Sequence, residues 1–282
     1  MRIGILGLDT SHSPAFTRII QEQYPEHSVI GAWPGGNEGI PASRDRVAGF
    51  TRDMEAMGVP IFGSPGEVAR RADALLILAL DGASHLPLYR EVVRPGLPVF
   101  IDKPVAGLPA DAERIFSLAK EHAAPLFSAS SLRFLPDFVG ALQTAPREKL
   151  RHFELTGPLN RIEGVPLYQF YAIHSVEMLV AALGPDWTEC RPDPDVPETF
   201  HFMWRNDATA SLRLSVPPAP ADFNGSLHFS GRVVSFARLA APVYAPFVGK
   251  LVDFFTTGIA PVAKEETLAI CRILQAMGSR AT

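Results

Sequence analysis

Through the first half of the chain, short apolar runs alternate with amphipathic stretches. Residues 3–6 (IGIL) and 29–33 (VIGAW) read as strands, with a helix between them that begins near Pro14 and takes Ser13 as its cap. A longer amphipathic stretch covers residues 43–57 and the short run 59–62 follows as a third strand. Ser64 and Glu67 then stand at the spacing of a capping box. Residues 72–80, ADALLILAL, are apolar throughout, as a parallel strand covered on both faces requires, and 99–101, VFI, read as the next strand. This βαβ grammar predicts a Rossmann-type, doubly wound parallel sheet over residues 1–124.

From residue 125 the pattern changes. One strongly helical segment, 167–183, precedes four strand-length runs, ETFHFMW, ATASLRLSV, GSLHFSG and RVVSFARL, which carry partial alternation and are separated by turn formers. They predict a mainly antiparallel sheet, open on one face, in an α+β domain over residues 125–282. Helices at 246–255 and 264–277 close it, and the proline-rich pieces PDPDVP and VPPAPA read as connections.

Composition narrows the class. A chain of 282 residues, 47% hydrophobic, has room for two domains of ordinary size. Its 26 Lys and Arg against 30 Asp and Glu leave a formal charge of −4 without a basic block, which argues against nucleic acid as a partner. Cys190 and Cys271 are far apart and form neither a disulfide framework nor a cysteine zinc site. No signal-peptide pattern and no run of 18 apolar residues is present, so the expectation is a cytoplasmic protein without a membrane partner.

The candidate chemistry starts in GILGLDTSHSP, residues 4–14. A dinucleotide fingerprint places glycine at three positions after the first strand; here Gly7 fits the first, Asp9 holds the second and His12 the third. A carboxylate at the second position repels a diphosphate, unless Asp9 turns away to cap the helix and leaves Thr10, Ser11 and backbone N–H groups to meet the phosphate. Where an acid often holds the ribose hydroxyls, the segment after the second strand reads Trp33-Pro34-Gly35-Gly36-Asn37, and Arg44 and Arg46 lie farther along. The turn after residues 72–80 repeats an Asp-plus-His pattern, Asp81 and His85, beside Leu80. Asp9, His12, Asp81 and His85 together make an alternative metal-binding set for a hydrolase or lyase. His174 and Glu177 are one helical turn apart, so a mutually bonded buried pair competes with a functional role for His174.

The segment LALDGASHLPLYREVVRPGLPVFIDKPVA resembles the glucose-fructose oxidoreductase, inositol dehydrogenase and MocA (Gfo/Idh/MocA) family, with Asp102-Lys103-Pro104 standing on that family's Glu-Lys-Pro. SASSLRFLPDF, FYAIHSVEMLVAALG and FVGKLVDFFTTGIAPVAKEETLAICRILQAM resemble, in order, the family's entry to its second domain, its histidine helix and its C-terminal helices. The resemblance implies an oxidoreductase that uses NAD or NADP on a sugar, polyol or related hydroxy compound lying between the two domains. It also implies a homo-dimer or tetramer through the C-terminal sheet. Lys103 would polarise the reacting oxygen and His174 move the proton. Gly7, Asp9, Thr10, Ser11, His12, Trp33, Leu80, Asp81, His85 and Asp102 would line the cofactor, and Arg133, Tyr171 and Glu177 the substrate. Phe170 stands four residues before the histidine, where the family often carries an Asp. With the two lost glycines and the acid missing after the second strand, that departure also fits a non-catalytic relative that binds a metabolite or a partner chain.

Overall fold

The computed structural model describes residues 1–216, 222–237 and 243–280, with residue 280 described by its backbone alone. Most of the VPPAPA connection and the last two residues of RVVSFARL lie outside the described residues. The chain forms two compact units, Met1–Ala129 with Phe247–Lys264, and Ser130–Pro246 with Glu265–Thr282. Residues 125–129 and 247–264, which the sequence pattern assigned to the second domain, are thus grouped with the first unit.

The first unit runs β1 (Arg2–Leu6), α1 (His12–Gln23), β2 (Ser28–Trp33), α2 (Pro41–Ala56), α3 (Pro65–Arg71), β3 (Ala74–Ile77), α4 (Gly82–Val92), β4 (Val99–Ile101), α5 (Pro109–Glu121) and β5 (Leu126–Phe127). Its strands are parallel in the order β2-β1-β3-β4-β5. Every residue of β3 is buried, which is why its sequence shows no alternation. The order reverses between β1 and β3, and at such a switch point open parallel sheets hold ligands beyond the carboxyl ends of the strands.

The expected third strand, residues 59–62, survives as a single parallel bridge from Ile61 to Ala32 of β2. Pro60 has no N–H to extend a ladder, and only its carbonyl and the Phe62 N–H pair with Ala32. A Cβ at Gly31 would overlap the Phe62 ring, so glycine lets that ring cover β2. The helix expected near Pro14 begins at His12. Ser13 does not cap it; its buried hydroxyl donates to the Gly7 carbonyl at 2.8 Å. Ser64 does cap α3 through the Glu67 N–H, while the Glu67 carboxylate reaches back to the Gly63 N–H at 3.0 Å.

The second unit opens with a 3₁₀ turn, Ser131–Phe134, and α6 (Pro136–Leu142). It continues through β6 (Leu150–Pro158), α7 (Ala172–Leu183), β7 (Trp187–Pro192), β8 (Thr199–Trp204), β9 (Thr209–Ser215), β10 (Asn224–Phe229) and β11 (Arg232–Phe236). The six strands are ordered β11-β10-β6-β9-β8-β7. The sheet is mixed rather than wholly antiparallel, because β6 and β9 run parallel at its centre. Alternate residues of β9 are buried, as expected of a sheet with one covered face. The helix expected over 167–183 starts only at Ala172. Before it, Gln169 N–H closes a turn on the Pro166 carbonyl, and Tyr168 donates to Glu198 at 2.9 Å.

The chain then returns to the first unit with α8 (Ala245–Thr257) and finishes in the second with α9 (Lys264–Arg280). Phe247 of α8 packs edge-on against Phe100 of β4, with ring centroids 5.3 Å apart, and tilts against Phe16 of α1 at 5.6 Å. Phe254 meets Phe127 of β5 edge-on at 4.7 Å. Aromatic burial of this kind makes α8 part of the first unit's core.

Candidate active site

At the carboxyl edge of the first sheet, the loops after β1, β2 and β3 are laced together. Gly7 ends β1 at φ +98°, and a Cβ there would overlap the backbone of Ala79, so only glycine lets the two loops approach. Asp9 follows with its side chain turned inward. Its carboxylate accepts the Leu80 N–H at 3.0 Å and the Ser43 hydroxyl of α2 at 2.6 Å, and the residue is 1% exposed. Asp9 therefore does not cap α1, as the sequence pattern suggested. Burial pushes its carboxyl above the ordinary value, and the Ser43 and Leu80 donors pull it part of the way back. The Ser43 hydroxyl in turn accepts the Asn37 N–H at 2.7 Å, and the Asn37 amide donates to Asp81 at 3.0 Å. Asp81 also caps α4 through the Ala83 N–H at 3.0 Å. Thr10 donates to the Leu78 carbonyl at 3.3 Å, while Ser11 is exposed and makes no capping bond. Trp33 is half-buried at the end of β2, and its carbonyl accepts the Gly7 N–H at 2.9 Å.

The third fingerprint position carries a charge pair. Nδ1 of His12 lies 2.6 Å from a carboxylate oxygen of Asp102 at the end of β4, and the other oxygen accepts the Lys103 N–H at 2.8 Å. Burial alone would raise the Asp102 carboxyl, but His12 and the Lys103 ammonium hold it below the ordinary value. The His12 ring stacks on Phe16 at 5.1 Å and keeps 15% of its side chain exposed. Lys103 is half-buried. This network joins a lysine and an imidazole to one carboxylate at the edge where ligands bind.

His85 is not available to a ligand. It is fully buried, and its two ring nitrogens face the carbonyls of Pro104 at 2.9 Å and Ala79 at 2.8 Å. With Asp9 and Asp81 committed to protein donors, the alternative metal set is not assembled. Among the described residues, no three His, Cys, Asp or Glu side chains could hold a metal ion.

In the second unit, α7 and the 3₁₀ turn clasp each other. His174 Nδ1 lies 2.7 Å from the Ser130 hydroxyl, which also caps the turn by accepting the Leu132 N–H at 3.2 Å. One helical turn on, Glu177 accepts the Ser130 N–H and one guanidinium nitrogen of Arg133 at 2.9 Å, while a second Arg133 nitrogen bonds Glu266 of α9. Arg133 and Glu177 are 9% and 2% exposed, so this triad fastens three elements rather than facing a substrate. Burial pushes Glu177 above the ordinary carboxyl value, partly offset by Arg133. The competing reading, a His174–Glu177 bond, gives way to separate partners for each. Tyr171 is half-exposed, edge-on to His174 at 5.7 Å and tilted against Phe170 at 5.2 Å.

Sequence reasoning missed Ser43, Ser130 and Glu266. Ser43 lies on the stripe 43, 47, 50, 54 that faces inward from α2, and a serine on such a stripe signals a buried acceptor. The partner of Glu266 is 133 positions away, and no local pattern announces it.

Residues 1–130 match the family model GFO_IDH_MocA, described as "Oxidoreductase family, NAD-binding Rossmann fold". The chain is 29% identical over 136 residues to a protein of Salmonella typhimurium described as "Putative oxidoreductase YceM", an alignment that covers 48% of this chain and 40% of the relative's length. Its fold is similar to scyllo-inositol dehydrogenase from Lactobacillus casei, solved with NAD(H) and scyllo-inositol, at 15% identity and a TM-score of 0.77 over 99% of this chain and 96% of that one. It is also similar to UDP-N-acetylglucosamine 3-dehydrogenase GnnA from Acidithiobacillus ferrooxidans, at 15% identity and a TM-score of 0.74 over 100% and 99% of the two chains.

Proposed function

Because residues 1–130 match the Gfo/Idh/MocA oxidoreductase model, we propose that the chain is an oxidoreductase of that family, which oxidises or reduces a small polyhydroxy compound with a nicotinamide dinucleotide. The observation that carries this reading is the inward turn of Asp9. The residue that most departs from the fingerprint has both carboxylate oxygens bonded to protein donors, and the first turn of α1 contains no acid. A diphosphate at that turn meets backbone N–H groups and the exposed Ser11 hydroxyl. Gly7, Thr10, Ser11, His12 and Trp33 are the residues that would hold the dinucleotide, which supplies the hydride donor or acceptor. His85 is withdrawn from that set, and Arg133 and Glu177 are withdrawn from the substrate set. Lys103, whose charge is balanced by Asp102, polarises the reacting oxygen. A histidine moves the proton, and His174 is the one to which the sequence points.

The substrate class draws support from the polyol and sugar-nucleotide dehydrogenases that share the fold. On the solvent side of the second sheet, Met203 and Val233 are 43% and 58% exposed, which supports a homo-dimer or tetramer through that face. Light scattering checks the assembly.

Titration of cofactor-stripped protein with NADH and NADPH, followed by nicotinamide fluorescence, tests the function. Micromolar binding of either, with turnover in a panel of polyols and their ketones that falls about 100-fold in Lys103→Ala, is the expected result. Absence of binding at millimolar concentration overturns the reading in favour of a non-catalytic relative. The two titrations also distinguish NAD from NADP as the cofactor.

A further inference from the structure

The two candidate histidines differ in what holds them. Ser130 offers His174 a hydroxyl, which can donate a hydrogen bond to Nδ1 or accept one from it. Either neutral tautomer of His174 therefore satisfies the contact. Asp102 offers His12 a carboxylate held ionised by burial-resisting neighbours, and a carboxylate only accepts. The contact at 2.6 Å thus requires a proton on Nδ1 of His12, and the lone pair of the neutral ring is on Nε2. An imidazole fixed in this tautomer by a carboxylate behind it is set to accept a proton at Nε2.

The same carboxylate carries Lys103. One Asp102 oxygen bonds His12, the other accepts the Lys103 N–H, and the Lys103 ammonium is close enough to stabilise the Asp102 charge. The polarising lysine and the base-ready histidine are therefore both neighbours of one buried anion in the same unit. Phe16 stacks under the His12 ring and fixes its plane.

We propose that His12, oriented by Asp102, is the catalytic residue that accepts the substrate's hydroxyl proton beside Lys103. This rests on the oxidoreductase reading above and assigns its proton-moving histidine. The O–H bond of the alcohol breaks and its proton goes to Nε2 of His12. The C–H electron pair leaves as hydride to the oxidised nicotinamide, and the carbonyl forms on the oxygen that Lys103 polarises. The imidazolium, paired with the Asp102 carboxylate, then gives the proton to water through the 15% of the side chain that is exposed. Reduction of the ketone runs the same steps backwards.

The test combines a tautomer measurement with kinetics. In ¹⁵N-labelled protein above neutral pH, with the His12 resonances assigned by their loss in His12→Gln, the expected signal is the Nδ1–H tautomer, shifting to a mixture in Asp102→Asn. On the best substrate of the panel, His12→Gln should lower kcat about 100-fold or more and abolish the acid limb of the kcat–pH profile. His174→Gln should keep the limb, because only one residue is the base. Retention of kcat and of the acid limb in both His12→Gln and His12→Asn overturns the assignment, as does an Nε2–H tautomer in the wild type. Loss of the limb in His174→Gln, with His12→Gln unaffected, returns the role to His174. A wild type that binds no dinucleotide, or that turns over nothing in the panel, overturns the function proposed above and this assignment with it. Turnover by wild type and His12→Gln alike overturns this assignment alone.

Discussion

Asp9 shows how a residue that breaks a motif can serve the structure around it. Its carboxylate is the acceptor for a backbone N–H after β3 and for a hydroxyl on α2, both in a dry environment. Asp9→Ala leaves two buried donors unsatisfied, at about 1–3 kcal/mol each, so a urea-unfolding loss of about 2–6 kcal/mol is expected. Asp9→Gly, which restores the fingerprint on paper, should lose about the same, and a stabilised variant would contradict this account. Asp102 makes the complementary case through pH. Its folded-state carboxyl titrates below the ordinary value, so the pair contributes stability that is present above the unfolded value of about 3.9 and disappears as pH falls through the folded one. Acid titration of the wild type should show this loss below about pH 4, and Asp102→Asn should not. The pairing of these residues was not legible in the sequence, although the place of Ser43 on the inward stripe of α2 hinted at a buried polar partner. His12 and Asp102 are 90 positions apart, and the motif comparison marked both for the cofactor without pairing them.

At the scale of elements, burial decided what could be read. The fully apolar run of β3 and the three residues of β4 announce themselves, and the cap at Ser64 is visible in the spacing to Glu67. β6 carries Arg151, His152 and Glu154 among its buried positions, and the edge strand β7 mixes charges with a terminal proline, so neither shows a clean period of two. The run 59–62 had the composition of a strand and lacked only the N–H that Pro60 cannot supply. Helix positions were legible, but their fastenings were not. Arg147 donates to the carbonyls of Val180, Ala181 and Ala182 at 2.7–3.1 Å and so satisfies the last turn of α7. Arg133 ties that helix to α9 through two carboxylates. Arg133→Met should cost about 3–5 kcal/mol, because it strands both acids in a buried setting. The measurement is the urea midpoint of the second unit, and recovery on adding Glu177→Gln and Glu266→Gln would separate stranded charge from lost packing.

For the whole molecule, the alternation of strand and helix was sufficient to foresee a parallel sheet followed by a second, differently built sheet, and the motifs pointed to the family whose model residues 1–130 match. Membership in the units was not foreseeable, because α8 is far along the chain from the sheet that it covers. Among the described residues, no helix is long and apolar enough to cross a membrane. Phe247 and Phe254 contribute rings to the core formed by Phe16, Phe100 and Phe127. Phe247→Ala or Phe254→Ala should therefore destabilise the first unit by about 3–5 kcal/mol, although both lie beyond the family-matched residues. A fragment of residues 1–130 should lack a cooperative unfolding transition, and a sharp transition at wild-type denaturant concentration would refute the dependence on α8.

That dependence has a consequence during synthesis. A ribosome emits the five strands of the first sheet early, but the helix that covers their aromatic side follows only after 115 or so further residues, at about 5–20 residues per second. For several seconds Phe16, Phe100 and Phe127 wait on the nascent chain without their lid, while the second unit is being made in between. The order in which this protein is written is therefore not the order in which its first core can close, and the half-finished sheet exposes its aromatic side until α8 leaves the ribosome.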